Sequence, residues 1–517
     1  MNWYNNATFY HIYPLGLTGA PKINDYSETT HRLKTLLPWI DHIKNLGFTA
    51  LYIGPLFKSV GHGYETTDYK QVDNRLGDND DLKDFVAYCH KNDIKVILDA
   101  VFNHTGRDFF AFKDILENRE NSKYRYWYNI DFNGNNSYND GFYYQNWAGY
   151  DLLVKLNVKN PDVYNYLFEV VKYWVDEFDI DGLRLDAANV LDKDFLRMLR
   201  SYTNNLKEDF YLMGEVMFEE YGPFLGDNML HSVTNFNLEK ALYSGCNDHN
   251  FFEIAHTVNR LSKYMHLYNF VDNHDIERIT TKLNDKRNFL PVHIMLYTLP
   301  GVPSIYYGSE FGIEGHKVRN GTDDEIRPML NIEDYKNSLT NNPYTQIIAK
   351  LNHFRKDNTI LTYGEYKQIE LRNEYYSYSR SLDNEQIFVC LINNNTPHDF
   401  YFDTNETYYG LFNEEEYVPE NGRIKVSLLE RGEVLYKKGV SLKLPHIEIK
   451  EEAKEETPLN KDFTETNKPY DQMDINELQD AILAKMAKNG PINDQMLRSV
   501  RENIYRDSLL NWVKSFN

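Results

Sequence analysis

Short β-rich runs alternate with helical patterns from residue 7 to residue 310, and this alternation constrains the fold more than any other feature. Runs of four to eight apolar and β-branched residues are typical of buried parallel strands, which need helical crossovers between them. Eight repeats predict a (β/α)8 TIM barrel of the α/β class, with a doubly wound parallel sheet as the alternative. The predicted strands lie within residues 7–15, 48–56, 94–102, 180–187, 209–216, 231–237, 267–275 and 302–310.

Three further regions interrupt or follow this repeat. The connection after the third strand is long, aromatic and rich in Asn and Gly, so it predicts a small excursion domain beside the active face. Later the pattern changes to alternating polar and apolar residues, which predicts an antiparallel β-domain, and then to a charged, polar linker. The predicted domains are a catalytic barrel (1–104 and 158–350), an excursion domain (105–157), a C-terminal β-domain (351–445), a linker (446–473) and a helical tail (474–517).

The helical tail begins with a capping signal, because Asp474 is followed three residues later by Glu477. The apolar residues that fall on one face of the first helix are Ile475, Leu478, Ile482 and Met486. "NGP" at 489–491 predicts its end, and a second amphipathic run follows. Two interpretations stay open: a helical hairpin docked on its own barrel, or an element for self-association or another partner.

The net charge and the cysteine content restrict which binding partners and which cellular compartment the sequence predicts. The formal net charge of −21 argues against nucleic acid and against anionic membrane surfaces, since both are polyanions. The N-terminus lacks a signal-peptide pattern, and no later run is long and apolar enough to span a bilayer. Three widely separated cysteines predict neither a disulfide framework nor a metal site. We therefore expect a cytoplasmic protein without nucleic-acid or membrane partners.

Polar and charged residues cluster where four of the predicted strands end. Arg184 and Asp186 are two residues apart, so on a strand they share a face, and such a pair taken alone is a structural ion pair. In a barrel, however, the carboxyl ends of all strands converge on one pocket. The residues at these ends are Asp99, Asn103, His104, Arg184, Asp186, Glu215, Asn273, His274 and Asp275. Their common position predicts an active site.

Four motifs in these segments resemble those of the α-amylase family, glycoside hydrolase family 13: "DAVFNH" (99–104), "GLRLDAANV" (182–190), "GEV" (214–216) and "FVDNHD" (270–275). "GHGYETTDYKQVDNRLG" (61–77), "VKLNVKNPDV" (154–163) and "GVPSIYYGSEFG" (301–312) match in order. "LDAANV" is closest to the intracellular cyclomaltodextrinase and neopullulanase branch. The resemblance implies the barrel, the excursion domain and the C-terminal β-domain.

The resemblance also implies roles for individual residues. Asp186 would be the nucleophile, Glu215 the general acid/base and Asp275 the carboxylate that stabilises the transition state. Arg184 would then keep Asp186 ionised, because a nearby cation lowers the pKa of a carboxyl group. The residues implied to bind the substrate are Tyr64, Asp68, His104, Arg184, His274 and Arg327.

The family's usual cation is calcium, which would be held in part by Asn103 and by the backbone carbonyl at Val190. Calcium takes six to eight oxygen ligands, and the sequence supplies no obvious set of that size. We therefore expect no organic cofactor, and Asn103 stays a weak calcium candidate.

The resemblance implies a retaining hydrolase that cleaves α-1,4-glucosidic bonds of maltodextrins and other α-glucan oligosaccharides. An α-glucanotransferase would carry the same residues, because water and an acceptor sugar compete for one glycosyl-enzyme intermediate. A non-catalytic α-glucan-binding relative is the third alternative, although such relatives typically lack one of the three carboxylates. Chain-length preference, activity on α-1,6 bonds or cyclodextrins, and oligomeric state stay open.

Overall fold

A computed structural model describes residues 2–217, 220–318, 322–429, 431–437, 468–489, 500 and 506–514. Its core is a sheet of eight parallel strands in the order β6-β5-β4-β3-β2-β1-β8-β7. A parallel bridge between Thr234 and Tyr268 joins the two edge strands, so the sheet closes. The strands are β1 Phe9–Ile12, β2 Ala50–Ile53, β3 Lys95–Ala100, β4 Gly182–Leu185, β5 Tyr211–Gly214, β6 Ser232–Val233, β7 Tyr268–Asn269 and β8 Val302–Tyr306. The predicted TIM barrel is confirmed, and each strand lies within its predicted run.

Helices surround the barrel, and several begin after a residue whose side chain accepts a hydrogen bond from a backbone N–H of the first turn. Asp78 accepts a hydrogen bond from the Asp81 backbone N–H, and Asn160 precedes Pro161 at the first helical position. The longer helices are Leu37–Asn45, Asn79–Lys91, Pro161–Phe178, Lys193–Leu206, Phe236–Asn247, Phe251–Leu261, Phe289–Thr298 and Pro343–Asp357. Shorter ones are Pro14–Leu17, Ile279–Lys282, Ser338–Asn341 and Ile360–Tyr363. Their apolar faces pack against the outside of the barrel in one buried cluster, while side chains such as Phe9, Ile97 and Met213 form a second cluster.

A buried polar cluster lies at the amino-terminal ends of the strands. Asp181, which directly precedes β4, is buried and accepts a hydrogen bond from the Val96 backbone N–H at 2.9 Å. His90 and Lys95 also bond this carboxylate, at 2.7 and 2.9 Å. These bonds hold the pKa of Asp181 at about 2, although burial alone would raise it. Such a cluster serves stability, since a barrel's chemistry lies at the opposite end.

Two excursions from the barrel rise around its carboxyl ends. After β2 the chain forms an antiparallel pair, Phe57–Ser59 with Thr66–Val72. After β3 it forms a helix, Phe110–Asn118, and a sheet in which Tyr150–Lys155 lies between His104–Gly106 and Asn146–Trp147. A further pair joins Ile130–Asp131 to Tyr143–Tyr144. The segment 105–157 thus has its own secondary structure, and its boundaries stay a prediction.

Antiparallel strands follow the last barrel helix. Six of them form one sheet in the order β9-β10-β11-β16-β13-β14, and β12 pairs with β15 in a second sheet. Phe388, Phe400 and Val426 belong to a buried cluster shared by strands of both sheets. The strands are β9 Glu365–Leu371, β10 Tyr375–Leu382, β11 Glu385–Ile392, β12 His398–Asp403, β13 Tyr408–Gly410, β14 Glu416–Tyr417, β15 Arg423–Leu428 and β16 Gly432–Tyr436. The predicted antiparallel domain is confirmed as a fold, whereas its limits at 351 and 445 stay a prediction.

The tail is a separate unit of the chain. Its described helices, Ile475–Asn489 and Arg506–Lys514, contact one another. The predicted capping box is confirmed, since Glu477 N–H donates to Asp474 and Asp474 N–H donates to Glu477, at 2.8 and 2.7 Å. Most of the predicted linker, 446–467, and the segment 490–499 lie outside the described residues.

Across the described part of the chain, none of the helices combines the length and the apolar character that a membrane span needs. Cys89, Cys246 and Cys390 are buried thiols.

Candidate active site

One guanidinium group lies at the centre of the carboxyl ends of β3, β4 and β5. Arg184 Nη1 lies 2.9 Å from Asp99 Oδ1 and 2.8 Å from Asp186 Oδ1. Its Nη2 lies 2.8 Å from Glu215 Oε1. The predicted shared face of Arg184 and Asp186 is confirmed. The pair is not isolated, however, because a single arginine joins three carboxylates from three neighbouring strands.

Parallel register explains how these groups meet. Arg184 on β4 is directly opposite Asp99 on β3, so the two side chains share a face of the barrel wall. Backbone bonds continue the ladder beyond the strands: Asp186 N–H donates to Ala100 O at 3.1 Å, and Glu215 N–H donates to Leu185 O at 2.9 Å. The Ala187 N–H then donates to Glu215 Oε2 at 3.0 Å. The strand ends therefore hold both carboxylates in place before any ligand binds.

The electrostatics of this cluster correct one expectation. Burial raises the pKa of Asp186 well above its usual range, with Glu215 and Asp99 adding to the effect and Arg184 opposing it. Arg184 stays charged, since the surrounding carboxylates raise its own pKa. The attraction of Arg184 therefore opposes the effect of burial on this pKa without outweighing it.

A second polar group comes from the segment that follows β7. His274 Nε2 lies 2.9 Å from Asp275 Oδ2, and Arg327 Nη2 lies 2.8 Å from Asp275 Oδ1. Arg327 also donates from Nε to the His274 carbonyl at 2.8 Å. Burial would raise the pKa of Asp275, but His274 and Arg327 outweigh it and hold that pKa well below its usual range. Asp275 is therefore an anion, held by the two side chains beside it.

Tyr64 connects the two polar groups. Its hydroxyl lies 3.1 Å from Asp99 Oδ2 and 2.5 Å from His274 Nε2, and its ring is parallel to the His274 ring. Two aromatic residues that the sequence did not single out belong to the same network. The Tyr52 hydroxyl donates to Asp99 Oδ2 at 2.8 Å, and the Tyr13 ring is parallel to His274 at 5.8 Å. Tyr13 follows β1 and Tyr52 lies near the end of β2. Their position at strand ends could have identified both as site residues.

His104 lies where the excursion sheet meets the barrel. It is buried, and its ring is parallel to that of Trp147, with ring centres 6.4 Å apart. Burial lowers the pKa of His104 to about 3, so this imidazole is neutral. Trp147 belongs to none of the sequence motifs. The pairing of strand Tyr150–Lys155 with both neighbouring strands places it beside His104.

Asp68 is the predicted site residue that the structure does not bring to this cluster. It lies in strand Thr66–Val72, where its carboxylate accepts the Lys70 backbone N–H at 2.8 Å. Three residues separate it from Tyr64, whose side chain faces Asp99. Tyr64 precedes the strand, and the irregular pairing of Asp68 with Lys58 gives the two residues different surroundings although one sequence motif contains both.

The contacts of Asn103 are with neighbouring protein groups, and its role as a calcium ligand stays a prediction. Its side-chain amide lies 3.2 Å from His104 Nδ1, and its carbonyl accepts the Leu156 backbone N–H. In the described part of the chain, the one group of His, Asp or Glu side chains close enough to share an ion is His31, Asp78 and Asp81, which does not include Asn103. Calcium prefers carboxylates among its six to eight oxygen ligands, so we derive no step through this ion.

Comparisons with known proteins agree with this geometry. The sequence profile described as "Alpha amylase, catalytic domain" matches residues 27–344. A "Maltogenic alpha-amylase" of Bacillus acidopullulyticus is 31% identical over 455 residues, covering 81% of this chain and 75% of that protein. An "Intracellular maltogenic amylase" of Bacillus subtilis is 31% identical, covering 72% and 63%. The solved structure of a "Cyclomaltodextrinase" aligns with a TM-score of 0.76 at 28% identity, covering 84% of this chain and 78% of that one.

The profile spans more than half of the chain, and the aligned structure has the same fold over 84% of this chain. The resemblance that the four motifs predicted is thereby confirmed. This chain belongs to the α-amylase family, glycoside hydrolase family 13, and is an α-amylase-type glycoside hydrolase.

Proposed function

We propose that the protein is a retaining hydrolase of α-1,4-glucosidic bonds in maltodextrins, acting through a covalent glycosyl-enzyme intermediate. Asp186 is the nucleophile, Glu215 the general acid/base, and Asp275 the anion that stabilises the transition state. The observation that carries this proposal is the shared guanidinium of Arg184, which holds Asp186 and Glu215 side by side on its two terminal nitrogens.

The spacing of the two carboxyl groups supports retention. Retaining enzymes need about 5–5.5 Å between the two groups, whereas inverting enzymes leave about 6.5–9.5 Å for a water molecule. Oxygens bonded to adjacent nitrogens of one planar fork lie next to each other. This arrangement favours direct attack by Asp186 on the anomeric carbon over attack by an activated water.

The position of Arg184 between the two carboxyl groups supports the division of roles. In the first step Glu215 donates a proton to the leaving oxygen while ionised Asp186 attacks the anomeric carbon. Glu215 then removes a proton from water, whose oxygen attacks the anomeric carbon and releases Asp186 from the sugar. In the reactive state Glu215 carries the proton and Asp186 is ionised beside Arg184.

The second polar group suits the positive charge that develops on the sugar. Asp275 stays ionised next to His274 and Arg327, so its charge is available when the oxocarbenium-like transition state forms. Tyr64, His104 and His274 present polar atoms and ring faces that can bind sugar hydroxyls and the apolar face of a pyranose. Together these groups would hold the sugar that precedes the scissile bond.

The names of similar proteins support the substrate class and the compartment. Proteins called maltogenic amylase and cyclomaltodextrinase are named for their action on α-glucans, and one relative is named as intracellular. We infer that this enzyme acts on short α-glucans inside the cell. The relatives' names also make cyclodextrins worth testing beside linear maltodextrins.

The test is a digest of maltoheptaose in which product lengths are followed over time and the anomer of the first product is read by NMR. Shorter sugars released first as the α-anomer are expected. Products longer than the starting sugar would make the protein a transferase, and a β-anomer would contradict Asp186 as the nucleophile. No product from the wild type would favour the non-catalytic alternative.

Two variants connect the digest to the residues. Glu215→Gln is expected to lower kcat about 10²- to 10⁴-fold, the range typical of lost general acid/base catalysis. Glu220→Gln, an exposed carboxylate in the same loop, is the matched control and should keep wild-type kcat. Unchanged turnover by Glu215→Gln would refute the assignment.

A further inference from the structure

Three buried polar atoms lie beneath the active site on residues that line the same cavity. They are His11 Nε2 on β1, and Asp272 Oδ1 and His274 Nδ1 on the segment after β7; none has a hydrogen-bond partner among the described residues. The exposed fractions of these residues are 3%, 2% and 1%. Buried donors and acceptors in folded proteins nearly always have a partner, so three such atoms at one place need an explanation.

The three residues line one cavity inside the barrel. Its volume is about 10 Å³, and Ser304 and Glu215 are also part of its wall. A volume of about 10–15 Å³ holds one water molecule when two to four polar groups surround it. Arg184 lines the same cavity, and its positive charge argues against a cation. The chemistry of the wall therefore selects a neutral molecule that both donates and accepts hydrogen bonds.

We propose that this cavity binds one structural water that connects His11 and Asp272 to His274, and that His11 is thereby a positioning residue of the active site. The hydrogen bonds balance. His11 donates from Nε2 to the water oxygen, and the water donates one hydrogen to Asp272 Oδ1 and the other to His274 Nδ1. Three bonds to one buried water is the usual number. All three unpaired atoms are then satisfied.

The surroundings of His11 suit this role. Burial lowers the pKa of His11 well below its usual range, so the ring is neutral and carries one N–H. The ring stacks on Tyr52 at 4.1 Å and stands perpendicular to the His274 ring at 5.2 Å. These two contacts fix the direction of the imidazole, as positioning requires.

The water would determine which nitrogen of His274 carries the proton. When Nδ1 accepts a hydrogen bond from the water, the N–H of the ring is at Nε2. That nitrogen lies 2.9 Å from Asp275 Oδ2 and also faces Tyr64. A donor at Nε2 can bond Asp275. The catalytic consequence of this site rests on the proposed function, whereas the water itself does not.

The first experiment is a crystal structure of the full wild-type chain at a resolution that shows ordered water. We expect a single density peak within about 2.7–3.2 Å of His11 Nε2, Asp272 Oδ1 and His274 Nδ1. A cavity without this peak, or with His11 bonded directly to His274, would overturn the proposal.

Two variants then test the positioning role. His11→Phe keeps a flat ring but removes the donor, so the density peak should disappear and kcat should fall about 10- to 100-fold, the cost of small misplacements near the reacting groups, while KM changes little. His11→Gln restores an N–H donor and should regain the water and most of the lost kcat. A kcat for His11→Phe equal to that of the wild type would refute the role of His11.

A matched control separates positioning from simple damage to the core. His293 is also fully buried, stacks on Phe289, and has an unpaired Nε2 among the described residues, but it lies in helix Phe289–Thr298 on the outside of the barrel. His293→Phe should change the melting temperature as much as His11→Phe while leaving kcat unchanged. If Glu215→Gln kept full activity although the water was present, the proposed function would fail and the water site would stand.

Discussion

Replacing Arg184 by lysine separates the charge of the site from its geometry. The guanidinium makes four contacts of 2.8–3.1 Å with Asp99, Asp186 and Glu215 through two nitrogens. A lysine keeps the positive charge but presents one compact ammonium, which cannot occupy both positions of the fork. Arg184→Lys should therefore lose at least the bond to Glu215 or those to the other two carboxylates.

The size of the effect follows from the burial of the fork. The Arg184 side chain is 3% exposed, so solvent does not screen these bonds. One charge-assisted hydrogen bond contributes about 1.5–3 kcal/mol, and losing one in the transition state slows kcat about 10- to 150-fold. Removing one partner of a buried ion pair typically costs about 3–5 kcal/mol of unfolding free energy. Because Arg184→Lys keeps the positive charge, its cost should be smaller.

The assay is steady-state hydrolysis of maltoheptaose across the pH range, together with melting temperatures. The pH profile of kcat should also change, since Asp186 and Glu215 lose the guanidinium that both contact. Arg355→Lys is the matched control: Arg355 is fully buried and, among the described residues, donates to the carbonyls of Tyr297, Leu361 and Gly301. It should lower stability and leave kcat alone. An Arg184→Lys enzyme with wild-type kcat and pH profile would refute the central role of the fork.

Two other changes test neighbouring parts of the argument. Tyr64→Phe removes the hydroxyl that connects Asp99 to His274, so kcat/KM for maltoheptaose should fall about 5- to 150-fold, and an unchanged value would contradict its place in the site. Asp181→Asn should cost about 2.5 kcal/mol of unfolding free energy at neutral pH, because a folded pKa of about 2 lies below the ordinary 3.8. That difference should be complete above pH 4 and should disappear as the pH falls through 2, which thermal unfolding at a series of pH values would show; a pH-independent difference would contradict it.

The barrel could be predicted because its signals are local. Each strand is a short apolar run, each helix has a period of its own, and the number of repeats selects the closed sheet. The capping box of the tail is equally local, since Asp474 and Glu477 are one helical turn apart. The excursion after β3 was predicted from its length, but its sheet pairs His104 with Lys155, a contact that no short pattern contains.

The site was predicted less completely, and Asp68 and Trp147 show why. Motif membership placed Asp68 near Tyr64, yet Tyr64 precedes strand Thr66–Val72 and the pairing of that strand is irregular at Asp68. Trp147 belongs to no motif, and it reaches His104 only through pairing across the excursion sheet. Residues that are close in sequence can be expected to lie close together in the active site only where the backbone is regular.

The charge balance of the centre could not be derived from the sequence at all. Spacing placed Arg184 and Asp186 on one face, which suggested a simple pair in which the cation lowers the carboxyl's pKa. The structure adds Asp99 through strand register and Glu215 through the next strand, so one cation serves three acids and burial dominates. Burial raises the pKa of Asp186 although Arg184 opposes it. The spacing of two residues predicts that Arg184 and Asp186 form a pair, whereas the register of the adjacent strands determines which other charges surround that pair.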